Sequence, residues 1–308
     1  MAFARRIFLF LALNALVILT LSTLMQVLGV QPYLTRSGID YQSLLWFCGI
    51  WGMGGAFISL ALSRIIAKWS MGVRLVDAQD LDPSHRALVA TVERLAQRAG
   101  LPNTPEVGIF DSPEVNAFAT GPTRSRALVA VSTGLLQAMR PDEVEGVLGH
   151  ELAHVANGDM VTMTLLQGVV NAFAMFLSRA IAFAAAQALR GDRDERNERP
   201  SMANYGTQMV IQFALEMVFM LLGSILVAWF SRQREFRADA GGAQIAGRDR
   251  MVRALQRLAE NYERVDPRPQ ASAVQTLKIS AHPRGLGALF ASHPPLEDRI
   301  QALRMGIS

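Results

Sequence analysis

The densest chemistry in this 308-residue chain is five residues long, His150-Glu151-Leu152-Ala153-His154. Residues four apart lie on one face of a helix, so two imidazoles at this spacing can grip a single metal ion. A glutamate between them is placed as general base toward a metal-bound water, the chemistry of peptide-bond hydrolysis. The residues before the motif favour a helix. Pro141 suits a first turn, and Asp142, Glu143 and Glu145 complement its positive N-terminal end. A motif with two free positions also arises by chance, so the rest of the chain must supply what two histidines lack.

A catalytic zinc usually takes three protein ligands plus water, and two histidines with one glutamate is a known set. The stretch Ser231 to Asp239 offers Glu235, with Asp239 four residues on and therefore on the same helical face. Glu235 as third ligand and Asp239 as acceptor from a histidine ring N–H would make a coherent site. The alternative is that both acids pair with Arg232, Arg234 or Arg237 on a solvated face. Cys48 is the single cysteine, inside an apolar run, so an intramolecular disulfide and a cysteine-ligated zinc are both excluded.

Composition decides where such a site must operate. With 51% hydrophobic and 18% charged residues, the chain is too apolar for a wholly soluble protein and calls for membrane spans. Its net charge of +4 comes without a basic-aromatic cluster, so nucleic acid is not an expected partner; membrane-flanking arginines explain it better. Ile7 to Val30 is uncharged and follows Arg5 and Arg6. It exceeds a signal-peptide apolar region, lacks an A-x-A-like cleavage site, and is long enough to cross roughly 30 Å of hydrocarbon. A second uncharged run, Tyr41 to Ser63, carries Gly52, Gly55, Ala56 and Ser59, small residues that permit close helix packing in lipid. Arg5, Arg6, Arg64, Lys68 and Arg74 outnumber Arg36 between the runs, which puts both ends of this hairpin in the cytoplasm.

Residues 75–159 read as soluble. Pro83 to Gly100 places Leu88, Val89, Val92, Leu95 and Ala99 on one face of a helix closed by glycine. Strands are expected at Glu106 to Phe110, Ala127 to Ser132 and, between them, Asn116 to Gly121. Helices around a small sheet make an α+β, mainly helical fold. Two further apolar runs, Met160 to Leu189 and Tyr205 to Ser231, follow the motif and enclose the polar stretch 190–204. An even number of crossings returns Glu235 to the side of His150 and His154, as a shared metal requires. Arg179 and Glu216 interrupt these runs at similar depth, and a charge inside a span seeks a partner, so the two should pair. Arg190, Arg193, Arg196 and Arg199 lie in the loop expected outside, against the positive-inside trend. Beyond 232 a polar helical part carries Met251, Leu255, Leu258 and Ala259 on one face, with a loop at 267–270. The expected parts are a transmembrane hairpin at 1–68, the two halves of a peptidase domain at 69–159 and 232–308, and an apolar helical hairpin at 160–231.

Four stretches together resemble a known family: Asn116-Ala-Phe-Ala-Thr-Gly121, His150-Glu-Leu-Ala-His-Val-Ala-Asn-Gly-Asp159, Ser231-Arg-Gln-Arg-Glu-Phe-Arg-Ala-Asp239 and Ser292-His-Pro-Pro-Leu-Glu-Asp-Arg-Ile300. They look like the motifs of the HtpX family, membrane-bound heat-shock zinc metallopeptidases of bacteria, in family order over nearly the full chain. The resemblance implies a gluzincin-type domain facing the cytoplasm from the inner membrane. One zinc ion would be held by His150, His154 and Glu235, with Glu151 as catalytic base. It further implies quality control of damaged or misfolded membrane proteins during stress.

A substrate strand is expected along a sheet edge formed by Asn116, Ala117 and Phe118, with Asn116 bonding its backbone; a plain turn residue is the alternative. His293 is the candidate to stabilise the tetrahedral oxyanion, or else a structural histidine before a helix. Arg299 should pair with a nearby acid, and His85 and His282 read as surface residues. Two other readings compete. An intramembrane protease would bury the motif in a span, against the close flanking by Asp142, Glu143, Glu145, Asn157 and Asp159. A non-enzymatic scaffold with structural zinc would need a fourth protein ligand, for which His293 or Asp239 is available. The motif helix runs toward the third apolar run, which places the site just beneath the membrane surface.

Overall fold

The computed structural model describes residues 38–190, 202–264 and 289–306, with 19, 20, 23, 26, 27, 34 and 35. The expected first span at 7–30 falls almost wholly outside the described residues, as do Arg193, Arg196, Arg199, the 267–270 loop and His282. In chain order the elements are β1 (Leu34–Thr35), β2 (Gly38–Ile39), α1 (Tyr41–Ser70), β3 (Arg74–Val76), α2 (Pro83–Arg98), β4 (Glu106–Phe110), β5 (Ala117–Thr120) and β6 (Leu128–Ser132). Six helices follow: α3 (Thr133–Ala138), α4 (Pro141–Asn157), α5 (Asp159–Arg190), α6 (Met202–Ala246), α7 (Arg248–Arg264) and α8 (Leu296–Met305). The chain divides into two compact units, 1–59 with 164–226 and 60–163 with 227–308.

The first unit is apolar. Among the described residues three helices are long and apolar enough to cross a membrane: α1, α5 as far as Ala188, and α6 from Gly206. The fourth apolar run ends at Ser231, but its helix continues unbroken through Ala246. Within this unit Gly52 meets Ala172 so closely that a Cβ would lie 2.4 Å from the Ala172 nitrogen. Gly55 faces open space, so the small-residue stripe works at Gly52. Arg179 and Glu216 do meet, with Nη1 3.5 Å from Oε2. The same guanidinium donates to the Met175 carbonyl at 3.0 Å and stands 5.4 Å from the Phe47 ring centroid. A charge that costs several kcal/mol in hydrocarbon thus finds an anion, a carbonyl and an aromatic face.

The second unit is built on a four-stranded sheet of order β3-β4-β6-β5. The central strands β4 and β6 are parallel, while β3 and β5 run antiparallel to them at the edges. Side chains alternate across the sheet as a period of two requires. Val107, Ile109, Ala117, Val129 and Val131 join the main core with α2 and α4. Phe110, Phe118, Leu128 and Ala130 point to the other face, which Ala67 of α1 covers. The end of α1 is tied down by charge as well, since Lys68 and Arg64 reach Glu106 at 2.7 and 3.6 Å. β3 was not among the expected strands; three residues with two exposed side chains carry no alternation, and pairing with β4 supplies the order.

The motif helix α4 lies inside this core, buried without a break from Glu143 to Val155. Pro141 begins it, and the Glu143 carboxylate accepts the Arg140 backbone N–H at 2.8 Å. Gly158 ends it in the left-handed region, φ 70°, where only glycine rests without strain. Buried Glu145 is matched by Arg94 at 2.9 Å and Arg250 at 3.5 Å. Four glycines bring the other helices onto α4. A Cβ on Gly146 would sit 2.5 Å from the Arg250 carbonyl oxygen, and one on Gly149 2.7 Å from the Ala246 methyl. From the opposing side, a Cβ on Gly241 would lie 2.9 Å from the Ala153 methyl, and one on Gly242 2.9 Å from the His150 nitrogen.

Two outcomes test these contacts. Gly242→Ala must push α6 from α4 and should lower stability by about 1–3 kcal/mol, read by thermal unfolding in detergent; an unchanged melting temperature would mean that the helices separate freely. Arg179→Glu and Glu216→Arg should each reduce accumulation in membranes. The double charge swap should recover it through a coupling of about 1 kcal/mol; a double variant worse than either single one would rule out the pairing.

Candidate metal centre

Three segments of the second unit converge on one buried point. α4 supplies His150 and His154, the C-terminal part of α6 supplies Glu235, and the segment leading into α8 supplies His293. His150 Nε2 and His154 Nε2 stand 3.1 Å apart, and Glu235 answers both, its Oε2 3.4 Å from the first and its Oε1 3.3 Å from the second. Glu235 has no exposed surface. Its Oε2 is buried without a hydrogen-bond partner among the described residues, although His293 Nδ1 lies 2.8 Å away.

The other ring nitrogens are held from behind. His154 Nδ1 meets Asp159 Oδ2 at 2.6 Å, and His150 Nδ1 meets Asp239 Oδ1 at 2.9 Å. A carboxylate on Nδ1 keeps the proton there and turns the Nε2 lone pair inward. Arg299, also wholly buried, grips Asp239 with two bonds, Nε to Oδ2 at 2.7 Å and Nη2 to Oδ1 at 2.6 Å. Arg234 lies 3.4 Å from Glu235 and 4.0 Å from Asp159.

The electrostatics match a cation. Burial opposes the Glu235 charge, yet the imidazoles of His154, His293 and His150 hold its pKa well below the usual range. Burial also opposes the Asp239 charge, and Arg299 with His150 outweighs it, holding the pKa down to about 2. On the other side of the balance, burial disfavours a charged His150, but Asp239 and Glu235 raise its pKa to about 9. His154 is raised too, with burial outweighed by Glu235 and Asp159. The negative potential that favours an imidazolium here favours a metal ion equally, and binding one would displace the protons. One ligand atom from each of His150, His154 and Glu235 lies within 4.8 Å of the others, so this donor set fits a divalent cation.

The remaining candidates fall as follows. Glu151 is buried beside the histidines on α4. Asn116 is buried immediately before β5; its N–H donates to Ser132 Oγ at 3.1 Å, its carbonyl accepts from the Ser132 N–H at 2.9 Å, and its Oδ1 has no hydrogen-bond partner among the described residues. Among the described residues β5 pairs only with β6 and leaves its other edge free. Ala117 faces the main core, while Phe118 packs against Phe110 with centroids 5.5 Å apart. Phe118 can therefore offer that edge only its backbone. Burial of Glu235 and Asp239 removes the solvated-face reading of the two acids. Arg299 has the acid partner expected of it. His85 lies partly exposed at the surface, its Nδ1 3.1 Å from Asp80 Oδ2, an acid that the sequence reading did not assign to it. Sequence reasoning missed Asp159, treating it only as a polar flank. The signal was Gly158, whose left-handed turn stops α4 and swings the next side chain back to His154.

Comparison with known proteins identifies the family. The model of peptidase family M48 matches residues 83–306. The chain is 50% identical over 301 residues to "Protease HtpX homolog" of Verminephrobacter eiseniae, covering 97% of this chain and 98% of that protein. It is 50% identical over 300 residues to "Protease HtpX" of Xanthomonas oryzae pv. oryzae, covering 97% of each. In fold it is similar to the crystal structure of S. mikatae Ste24p, with a TM-score of 0.62 and 17% identity, over 98% of this chain and 64% of that one. The chain therefore belongs to peptidase family M48, among its HtpX proteases, and is a membrane metalloprotease acting on protein substrates.

Proposed function

We propose that this protein is a zinc endopeptidase of the bacterial inner membrane that cleaves damaged or misfolded membrane proteins, and cytosolic ones, during stress. Residues 1–68 and 160–231 serve as its membrane parts, and 69–159 with 232–308 form a catalytic domain on the cytoplasmic side. The carrying observation is the convergence of both Nε2 atoms on a fully buried Glu235. His150, His154 and Glu235 hold one zinc ion, a set typical of catalytic rather than structural zinc. The orientation rests on the excess of Arg5, Arg6, Arg64, Lys68 and Arg74 over Arg36.

When bound, zinc polarises the attacking water and the scissile carbonyl. The side chains do the rest. Glu151 takes the water proton and passes it to the leaving amine. Asp239 and Asp159 fix the imidazole rings from behind. The free edge of β5 binds the substrate backbone as an added strand, with Asn116 Oδ1 accepting from a substrate N–H. That role is supported by its being buried and without a partner among the described residues. His293, beside Glu235, stabilises the oxyanion.

Glu151→Gln should keep one zinc per chain by elemental analysis while casein cleavage falls about 10²–10⁴-fold. A wild type that holds zinc and cleaves nothing would instead favour the scaffold reading. Asn116→Ala should raise KM for a peptide substrate several-fold with kcat nearly unchanged, the mark of lost uniform binding; a fall in kcat alone would remove Asn116 from substrate binding.

A further inference from the structure

The two histidines are each backed by a carboxylate, and each carboxylate has an arginine within reach, but the two arms are unequal. Behind His150, Arg299 grips Asp239 through two short bonds and is wholly buried. Its Nη1 also lies 3.7 Å from Glu235 Oε2. Behind His154, Arg234 stands 4.0 Å from Asp159, and its Nε is buried without a hydrogen-bond partner among the described residues. One arm is a clamp and the other a loose approach.

A planar guanidinium that forks onto a carboxylate fixes both the position and the rotation of that carboxylate, which a point charge cannot do. Asp239 in turn meets His150 Nδ1 with the same Oδ1 that accepts from Arg299 Nη2. The orientation of the His150 ring is therefore set from α8, sixty residues beyond Asp239 in sequence. We propose that Arg299 is a positioning residue for the metal centre, acting through Asp239 to hold His150 in its metal-binding orientation, and that Arg234 has no equivalent role behind His154. This rests on the zinc site assigned above. Arg232 strengthens the arrangement by donating to the Leu289 and Ala291 carbonyls at 3.2 and 2.7 Å, which docks the segment that leads to α8 onto the Glu235 helix.

The test uses the full-length protein in detergent. Zinc release to a chelator is timed for wild type, Arg299→Met, Arg299→Lys, Arg234→Met, Asp239→Asn and the Arg299→Met/Asp239→Asn double variant. Cobalt(II) absorption is recorded for each at saturating metal. Arg299→Met should release zinc on the order of 10–100-fold faster, the usual effect of losing such a partner. It should also shift the cobalt bands, which a purely structural role would leave alone. Arg299→Lys should fall between, because it keeps the charge and loses the fork. In the Asp239→Asn background, loss of Arg299 should add much less than it does alone, leaving only its longer approaches to Glu235 at 3.7 Å and His150 at 3.4 Å. Arg234→Met should change release less than threefold.

Release and cobalt bands like wild type in folded Arg299→Met, additive effects in the double variant, or an equal effect of Arg234→Met would each overturn the inference. If Arg299→Met does not fold, the same cycle with Arg299→Lys decides. A wild type that binds no zinc would instead overturn the site assignment itself.

Discussion

Glu235 is a carboxylate with no contact with solvent, and a charge in that position persists only where positive charge surrounds it. His150, His154, His293, Arg234 and Arg299 all lie within 3.7 Å of its oxygens. Three of those groups are themselves partly neutralised by another acid: Asp239 behind His150 and Arg299, Asp159 behind His154. The centre is thus an alternating lattice of charge rather than a single ion pair. Removing Glu235 or Asp239 leaves buried positive groups without their compensation.

Helix packing serves that lattice. Two helices can bring a histidine and a glutamate this close only if their backbones approach nearly to contact, and Gly146, Gly149, Gly241 and Gly242 provide the room. The sheet lends rigidity from the other side, with β6 buried along its whole length and β5 beside α4. Gly158 then closes α4 so that the first residue of α5 completes the support of His154. In this way a backbone conformation, a packing distance and a hydrogen bond depend on one another within ten residues.

Much of this was legible in the sequence, for definite reasons. Helical periodicity marked Leu88, Val92 and Leu95, because burial on one face leaves a regular trace, and short runs of β-forming residues marked β4 and β6. His150, His154, Glu235 and Asp239 were legible from spacing, since positions four apart share a face whatever the surroundings. The pairing of Arg179 with Glu216 could be inferred because hydrocarbon leaves a charge few alternatives. What escaped notice depends on non-local geometry. Asp159 follows a turn instead of a helical repeat. The specific partner of Arg299 is sixty residues away and leaves no periodic signal. β3 owes its order to β4 rather than to its own residues, and the freedom of the β5 edge follows from strand order alone.

Because Arg232, Glu235 and Asp239 share one continuous helix with the apolar stretch from Gly206, the centre also has a history in time. A ribosome adds residues in order, at roughly 5–20 per second. His150 and His154 are therefore made well before Glu235, and Arg299 comes later still. For an interval on the order of ten seconds the nascent chain carries two histidines with neither the carboxylate nor the arginine that complete their surroundings. The groups that meet at this point are complete only after the helices between them have been synthesised, a delay written into the order of the sequence.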